Sequence, residues 1–385
     1  MTRRITTTHS GSLPRPASLT ALHGARYKGA PIDAAAFEHQ VEAATAGIVD
    51  QQIAAGLDVI NDGEMSRESF FTYVQHAMTG FGGRAQRKVM RDITMYPSFL
   101  ATLMRATGGT DVSLLAPPQA VGEVTYRDTQ TIDRECARLT RLLAARGRKP
   151  GDAFVTAPSP GIIAAAMENK HYASMSDYID ALAIALRHEY LAIVNAGFTL
   201  QIDAPDLAME RHTLFADKPL GDFLDFTRLV VAAITRATAG IARDRWRLHV
   251  CWGNYNGPHE CDVALEEIWP VIAQASVGAL LISLANPRHE HEVELFKRGI
   301  LPASTALIAG VIDTTTNYVE HPEVVALRIQ RAVVAVGDPT RVMAGTDCGF
   351  ETSAGFPMVA AEVVWAKLRA LRDGAALASQ RLFGV

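Results

Sequence analysis

Short apolar runs alternate with longer amphipathic stretches along the whole chain. Nine runs have the composition of β-strands: 5–13, 58–64, 120–126, 153–158, 199–204, 247–253, 279–285, 306–313 and 342–348. Many of them are nearly continuous in apolar residues, the pattern of strands buried on both faces. Between them, 34–55, 175–196, 220–243 and 322–336 carry helical periodicity. Repeated βα units without a linker-like break predict an α/β chain folded as one parallel (β/α)8 TIM barrel spanning 1–385. Nine runs compete for eight places, so one lies outside the ring or is irregular. An open, doubly wound sheet is the alternative architecture.

Polar residues favour the barrel by collecting at the C-terminal ends of the apolar runs. They are Ser10-Gly11-Ser12, Asn61-Asp62-Gly63-Glu64, Asp203, His249-Val250-Cys251 and Asp347-Cys348. That rim carries the active site of a TIM barrel. Residues 82–118 open with Gly82-Gly83-Arg84 and have an apolar stretch near Met95–Met104. They are expected to form an insertion at the barrel mouth.

Composition narrows the partners. Hydrophobic residues make up 48% of the chain and charged residues 20%, with a net charge of −4, so no general affinity for nucleic acid or acidic membranes is expected. No apolar run is long enough to span a bilayer, and Met1-Thr2-Arg3-Arg4-Ile5-Thr6 lacks the apolar core of an export signal. Cytoplasmic residence, small-molecule partners and, as an open possibility, an oligomer are the expectations. The four cysteines Cys136, Cys251, Cys261 and Cys348 are too few for a disulfide framework and point to metal or catalysis.

His249 and Cys251 lie two apart on a predicted strand, so both side chains face the same way. Imidazole nitrogen and thiolate sulfur form a favoured zinc donor set, and Cys348 ends another strand as a third candidate. Three protein ligands would leave a position for substrate. Two buried strand residues give the same local pattern, and the spacing alone does not separate the two readings.

A resemblance covers nearly the whole chain. It runs through Thr6-Thr7-Thr8-His9-Ser10-Gly11-Ser12-Leu13-Pro14-Arg15, Gly56-Leu57-Asp58-Val59-Ile60-Asn61-Asp62-Gly63-Glu64 and Gln201-Ile202-Asp203-Ala204-Pro205. It continues at His249-Val250-Cys251, Asn286-Pro287-Arg288-His289-Glu290-His291-Glu292 and Asp347-Cys348-Gly349. In this order the motifs resemble the catalytic C-terminal half of cobalamin-independent methionine synthase, and more closely its shorter stand-alone relatives. The resemblance implies a TIM barrel with Zn2+ held by His249, Cys251 and Cys348. It further implies that Glu64 and Asp203 act at the catalytic site and hold the amino group of homocysteine, while Ser10, Gly11 and Ser12 contact that amino acid's carboxylate and backbone.

The implied activity is a zinc-dependent methyltransferase, moving a methyl group from methylfolate or another alkyl donor to a thiol such as homocysteine, as in methionine biosynthesis. Three positions depart from the family. Ser283 replaces its zinc-site glutamate, leaving Glu290 or His289 as groups that would have to reach back. Thr315 replaces a proton-donating histidine, and 158–165 has no tryptophan to stack on a pterin. The thiol half of the site is therefore better kept than the donor half. A thiol–epoxide transferase or lyase of the coenzyme M type, and a barrel that binds metal or ligand without catalysis, are the alternatives.

Overall fold

Six of the expected strands form one parallel sheet in chain order, and two short extended segments close it into a ring. The computed structural model describes residues 4–107, 112–128 and 130–384. Residues 1–3 of the expected domain and 108–111 of the expected insertion lie outside these. The strands are β1 (Phe81–Gly82), β2 (Gln119–Ala120), β3 (Phe154–Pro158), β4 (Thr199–Asp203), β5 (Trp246–Val250), β6 (Ala279–Ile282), β7 (Ala306–Ile312) and β8 (Val342–Thr346). β3 to β8 hydrogen-bond successively, every pair parallel.

Closure comes from the first two apolar runs. Thr8 donates its backbone N–H to Ala344 O at 2.9 Å, and Ala344 donates to Thr6 O at 2.9 Å, joining the first run to β8. Val59 donates to Thr7 O at 3.0 Å, and Phe154 donates to Ile60 O at 2.9 Å, so the second run bridges the first and β3. Eight parallel positions result, as the TIM barrel requires. The first two are bridges rather than ladders because a side chain takes over part of the pairing. The Asp58 carboxylate accepts the backbone N–H of Thr7 at 2.8 Å and is held from outside by Arg4 at 2.7 Å.

The ninth run is the one outside. Of 120–126 only Ala120 belongs to a strand, and β2 pairs antiparallel with β1 rather than with the barrel. Val121 is exposed, and Gly80 and Gly122 let the two backbones approach too closely for a Cβ at Gly80, which would stand 2.5 Å from Glu123 O.

The helices follow their local signals. Asp33 caps the helix Ala34–Ala55, its carboxylate accepting from Ala35 N at 2.9 Å, and Gly56 ends it with φ 82°. Pro322–Val336 ends likewise at Gly337 with φ 80°. The expected helix 220–243 stops at Ala237, because Gly240 turns the chain with φ 84° into the single turn Arg243–Arg245. Among the described residues no helix is long and apolar enough to cross a membrane.

The barrel interior beneath the rim is polar at one level. Arg247 donates to Gln201 Oε1 at 2.7 Å, Thr8 Oγ1 at 3.0 Å and His9 O at 2.9 Å, with its guanidinium 3.7 Å from the centre of the Phe154 ring. This plug ties β4 and β5 to the N-terminal segment and sets the floor of the site.

Candidate metal centre and active site

Strand register decides which rim residues meet. Asp203 is the last residue of β4, and it pairs with His249 on β5. Cys251 follows β5 directly, and Cys348 lies just beyond the end of β8. The three candidate donors, one nitrogen and two sulfurs, all stand within 4.8 Å of one another, and all three residues are buried.

Asp203 orients the imidazole. His249 Nδ1 lies 2.9 Å from Asp203 Oδ1, and a carboxylate only accepts, so Nδ1 carries hydrogen. Nε2 then faces the two sulfurs and the carbonyl of Asp347, 3.1 Å away. Cys348 donates to Cys251 and holds that thiol well below its ordinary pKa against the effect of burial, while Cys348 itself is pushed well up. Burial pulls His249 down, but Cys251 and Asp203 outweigh it and raise the ring to about 10. Protons thus hold together three inward-facing donors. A divalent cation serves the same electrostatic purpose, and the Asp203–His249 hydrogen bond is the outer support that metal-binding histidines usually have. The three residues fit a metal ion.

On the other side of Asp203 stands Glu64. The turn before it is tied by Asn61 and Asp62, whose side chains accept from Gly63 N at 2.8 Å and Glu64 N at 3.0 Å. Gly63 and Glu64 are both left-handed, with φ 66° and 61°, and this reversal aims the Glu64 side chain inward. Its Oε1 accepts from Thr156 Oγ1 at 3.0 Å, whereas Oε2 is buried with no partner. Burial first, and then the charge of Asp203, raise Glu64 to about 7. Gly11 has φ 137°, and a Cβ there would stand 2.6 Å from Glu64 Oε1, so the bare backbone makes room for the carboxylate.

The flanking serines divide. Ser10 turns away and donates to Thr346 O at 2.7 Å, so its hydroxyl hydrogen is committed to the barrel. The Ser12 hydroxyl lies against Gly349, beside Cys348, where a Cβ on that glycine would collide with it. Gly11, Ser12, Glu64 and Asp203 are therefore brought together near the sulfur-rich group, while the Ser10 side chain is not, being bound to Thr346.

A model of the catalytic domain of the cobalamin-independent synthases matches residues 5–375. The chain belongs to that family. A methionine synthase of Thermococcus kodakarensis is 26% identical over 89% of this chain and 85% of its own length. Another from Saccharolobus solfataricus is 24% identical over 98% of this chain and 95% of its own. A 5-methyltetrahydropteroyltriglutamate–homocysteine methyltransferase of Rhodococcus jostii is 26% identical, with the chain spanning 43% of it. Among solved structures, a B12-independent methionine synthase of a Shewanella species, in complex with selenomethionine, superposes over 100% of both chains with TM-score 0.75 at 20% identity, which supports the fold. The named relatives are methyltransferases, in agreement with the expectation from the motifs.

Within this family frame, the departures have structural outcomes. Ser283 donates its hydroxyl to Asp347 O at 2.7 Å, so it closes the gap between β6 and β8 rather than facing the donors with a carboxylate. Glu290 is directed to Arg331, 3.6 Å away, and does not reach back. His289 does not reach back either. It is buried against Asp262 and Glu292. Among the described residues the sulfur-rich group has no carboxylate member. Thr315 bonds Asp313 Oδ1 through its hydroxyl at 2.9 Å. The stretch 158–165 forms a buried helix start, capped by Ser159, with no aromatic residue.

Two features escaped the sequence reading. Asp347 fixes the loop after β6, its carboxylate accepting from Leu284 N and Ala285 N at 2.9 Å and Asn286 N at 2.7 Å. A cleft running out from Cys348 and Ser283 is walled by Trp252, His259, His289 and Thr315. For that histidine wall, His289 stood within the Asn286–Glu292 motif, and the compact Pro258-His259-Glu260-Cys261-Asp262 run, which hydrophobic patterning does not mark, was the signal for His259.

Proposed function

We propose that the chain alkylates an amino-acid thiol, homocysteine or a close analogue, by methyl transfer, using Zn2+ held by His249, Cys251 and Cys348. The observation carrying this reading is the unpartnered buried Oε2 of Glu64, placed on the same rim as a cysteine–histidine donor group. Zinc at that group supplies Lewis acidity that keeps a substrate thiol deprotonated at neutral pH.

The chain's own residues do the positioning. Asp203 holds the His249 ring in the orientation that ligation requires. Glu64 offers Oε2 to an ammonium group, with Asp203 adding negative charge. Ser12 and the backbone of Gly11 border the same space and suit a carboxylate. Buried walls exclude water and fix the thiol relative to the donor. The cleft beyond Cys348 is read as the donor side.

Residues 82–118 are read as an insertion over the mouth in the single barrel domain. Arg87 pairs with Glu210, and Arg91 donates to Ala216 O at 2.8 Å, which anchors the segment beside the loops after β4. Cytoplasmic residence is the accompanying proposal.

A thiol–epoxide transfer is the second reading, favoured by Thr315, whose hydroxyl is engaged with Asp313 where the family has a proton donor. Purified protein loaded with zinc is assayed with homocysteine and, separately, methylfolate, methylcobalamin or an epoxide. Thioether formation that disappears in Cys348→Ala supports the proposal, and the productive donor selects between its forms. Absence of zinc, or of thioether with every donor, overturns it.

A further inference from the structure

Beyond the sulfur-rich group, three histidines close around one carboxylate. His259 Nδ1 lies 2.8 Å from Asp262 Oδ2, and His289 Nε2 lies 2.7 Å from the same oxygen. His212 Nδ1 stands 3.0 Å from Asp262 Oδ1 on the opposite side. All four side chains are at most 4% exposed.

The outer nitrogens are already assigned. His259 Nε2 lies 3.0 Å from the carbonyl of Tyr255, which only accepts, so that nitrogen carries hydrogen. His289 Nδ1 faces Glu292 Oε2 at 3.0 Å and does the same. In the neutral tautomers the inward nitrogens therefore present lone pairs to an anionic oxygen. A buried arrangement of this kind requires a cation between the groups, either added protons or a metal ion. Neither ring nitrogen of His212 forms an aligned hydrogen bond, nor does Asp262 Oδ1, so added protons would leave part of the cluster unsatisfied.

The surroundings match those of ligating histidines. His259 has the Tyr255 carbonyl behind it and His289 has Glu292, which is fixed in turn by Leu265 N at 2.7 Å. Trp252 stacks on His289 at 3.8 Å and Tyr255 on His259 at 4.1 Å, which locks both ring planes. Among the described residues, the ion pairs of Asp92, Asp262 and Glu292 are all with histidines.

We propose that His259, Asp262 and His289 form a second metal site, separate from the sulfur-rich group, with His212 as a nearby fourth donor. Two imidazoles and a carboxylate favour a divalent first-row transition ion over Mg2+ or Ca2+. His259 and His289 also wall the cleft that reaches Cys348, so the site borders that cleft without sharing a ligand with the sulfur-rich group. This inference does not depend on the proposed methyl transfer.

The test uses the full chain, stripped of metal and titrated separately with Zn2+, Co2+ and Fe2+ under reducing, anaerobic conditions. Wild type is expected to take up two equivalents of at least one of these ions. Cys251→Ser/Cys348→Ser is expected to keep one, with weak ligand-field bands for Co2+ and no sulfur charge-transfer band. Adding the near-isosteric Asp262→Asn or His289→Gln to that background should abolish this equivalent, while either change alone leaves the sulfur charge-transfer band intact. Circular dichroism verifies folding, and the two single changes give independent routes should one fail to fold. A sulfur-ligand variant that is folded yet takes up none of the three ions overturns the site. So does one whose uptake persists in both the Asp262 and His289 changes.

Discussion

Asp203 Oδ1 lies 2.9 Å from His249 Nδ1, and this contact sets which nitrogen of the ring faces Cys251 and Cys348. Asp203→Asn is close in shape, but its amide offers a donor as well as an acceptor and no longer enforces the tautomer. Loss of such an outer support weakens metal binding by roughly 10- to 100-fold. Chelator competition on the zinc-loaded protein measures it. An unchanged affinity would show that ring packing alone orients His249.

Glu64 titrates at about 7, so a fraction of it is protonated at neutral pH. An ammonium ligand requires the carboxylate form. Affinity for the amino-acid thiol should rise as pH increases through that value, until the ligand's own amine deprotonates. Glu64→Gln should raise KM by about one order of magnitude, corresponding to ~1.4 kcal/mol, and flatten its pH dependence between about pH 6 and pH 8. KM profiles over that range decide the point, and a variant with the wild-type slope would remove Glu64 from amine recognition.

Ser283 is predicted to be structural. Its hydroxyl is engaged with Asp347 O, so Ser283→Ala should leave metal stoichiometry unchanged and cost about 1 kcal/mol of stability from the lost buried hydrogen bond. Metal analysis and thermal denaturation read the two effects separately. A loss of zinc in a stably folded variant would make Ser283 part of the metal site after all.

His23 governs part of the acid sensitivity. Burial, aided by the charge of Arg15, lowers its pKa from 6.5 to about 4, while Nε2 stays 2.9 Å from Met65 O. The unfolded chain therefore binds more protons between these values. The neutral ring's contribution is fully present above 6.5 and is lost as pH falls toward 4, by at most about 3 kcal/mol. His23→Gln keeps a donor without a titrating ring. Its melting temperature should fall less than that of wild type between about pH 7 and pH 5. Parallel slopes would place the acid sensitivity elsewhere, His9 being the next candidate because burial lowers it to about 3.

Much of the barrel was legible because burial on both faces leaves a local mark. The runs at 279–285 and 306–313 are apolar throughout their strand portions, and Ser283 and Asp313, which follow those strands, line the cleft beside Cys348. The run at 120–126 misled because its Val121, Val124 and Tyr126 have strand-like composition, although only Ala120 enters a strand, a two-residue pairing with Phe81–Gly82 outside the barrel. The glutamate replacement was legible as a residue but not as a contact, since nothing near Ser283 in sequence indicates that its partner is the carbonyl of Asp347.

By itself, the sequence determined the βα rhythm and the common facing of His249 and Cys251, because strand alternation is a property of neighbouring residues. It also carried the family motifs. Only the tertiary structure decided that Asp203 stands beside His249, that Thr6–Thr8 closes the ring against Ala344, and that His289 turns to Asp262 rather than to the sulfurs. Those outcomes depend on register between strands distant in sequence and on how buried charges find partners. Both are fixed only when the ring closes.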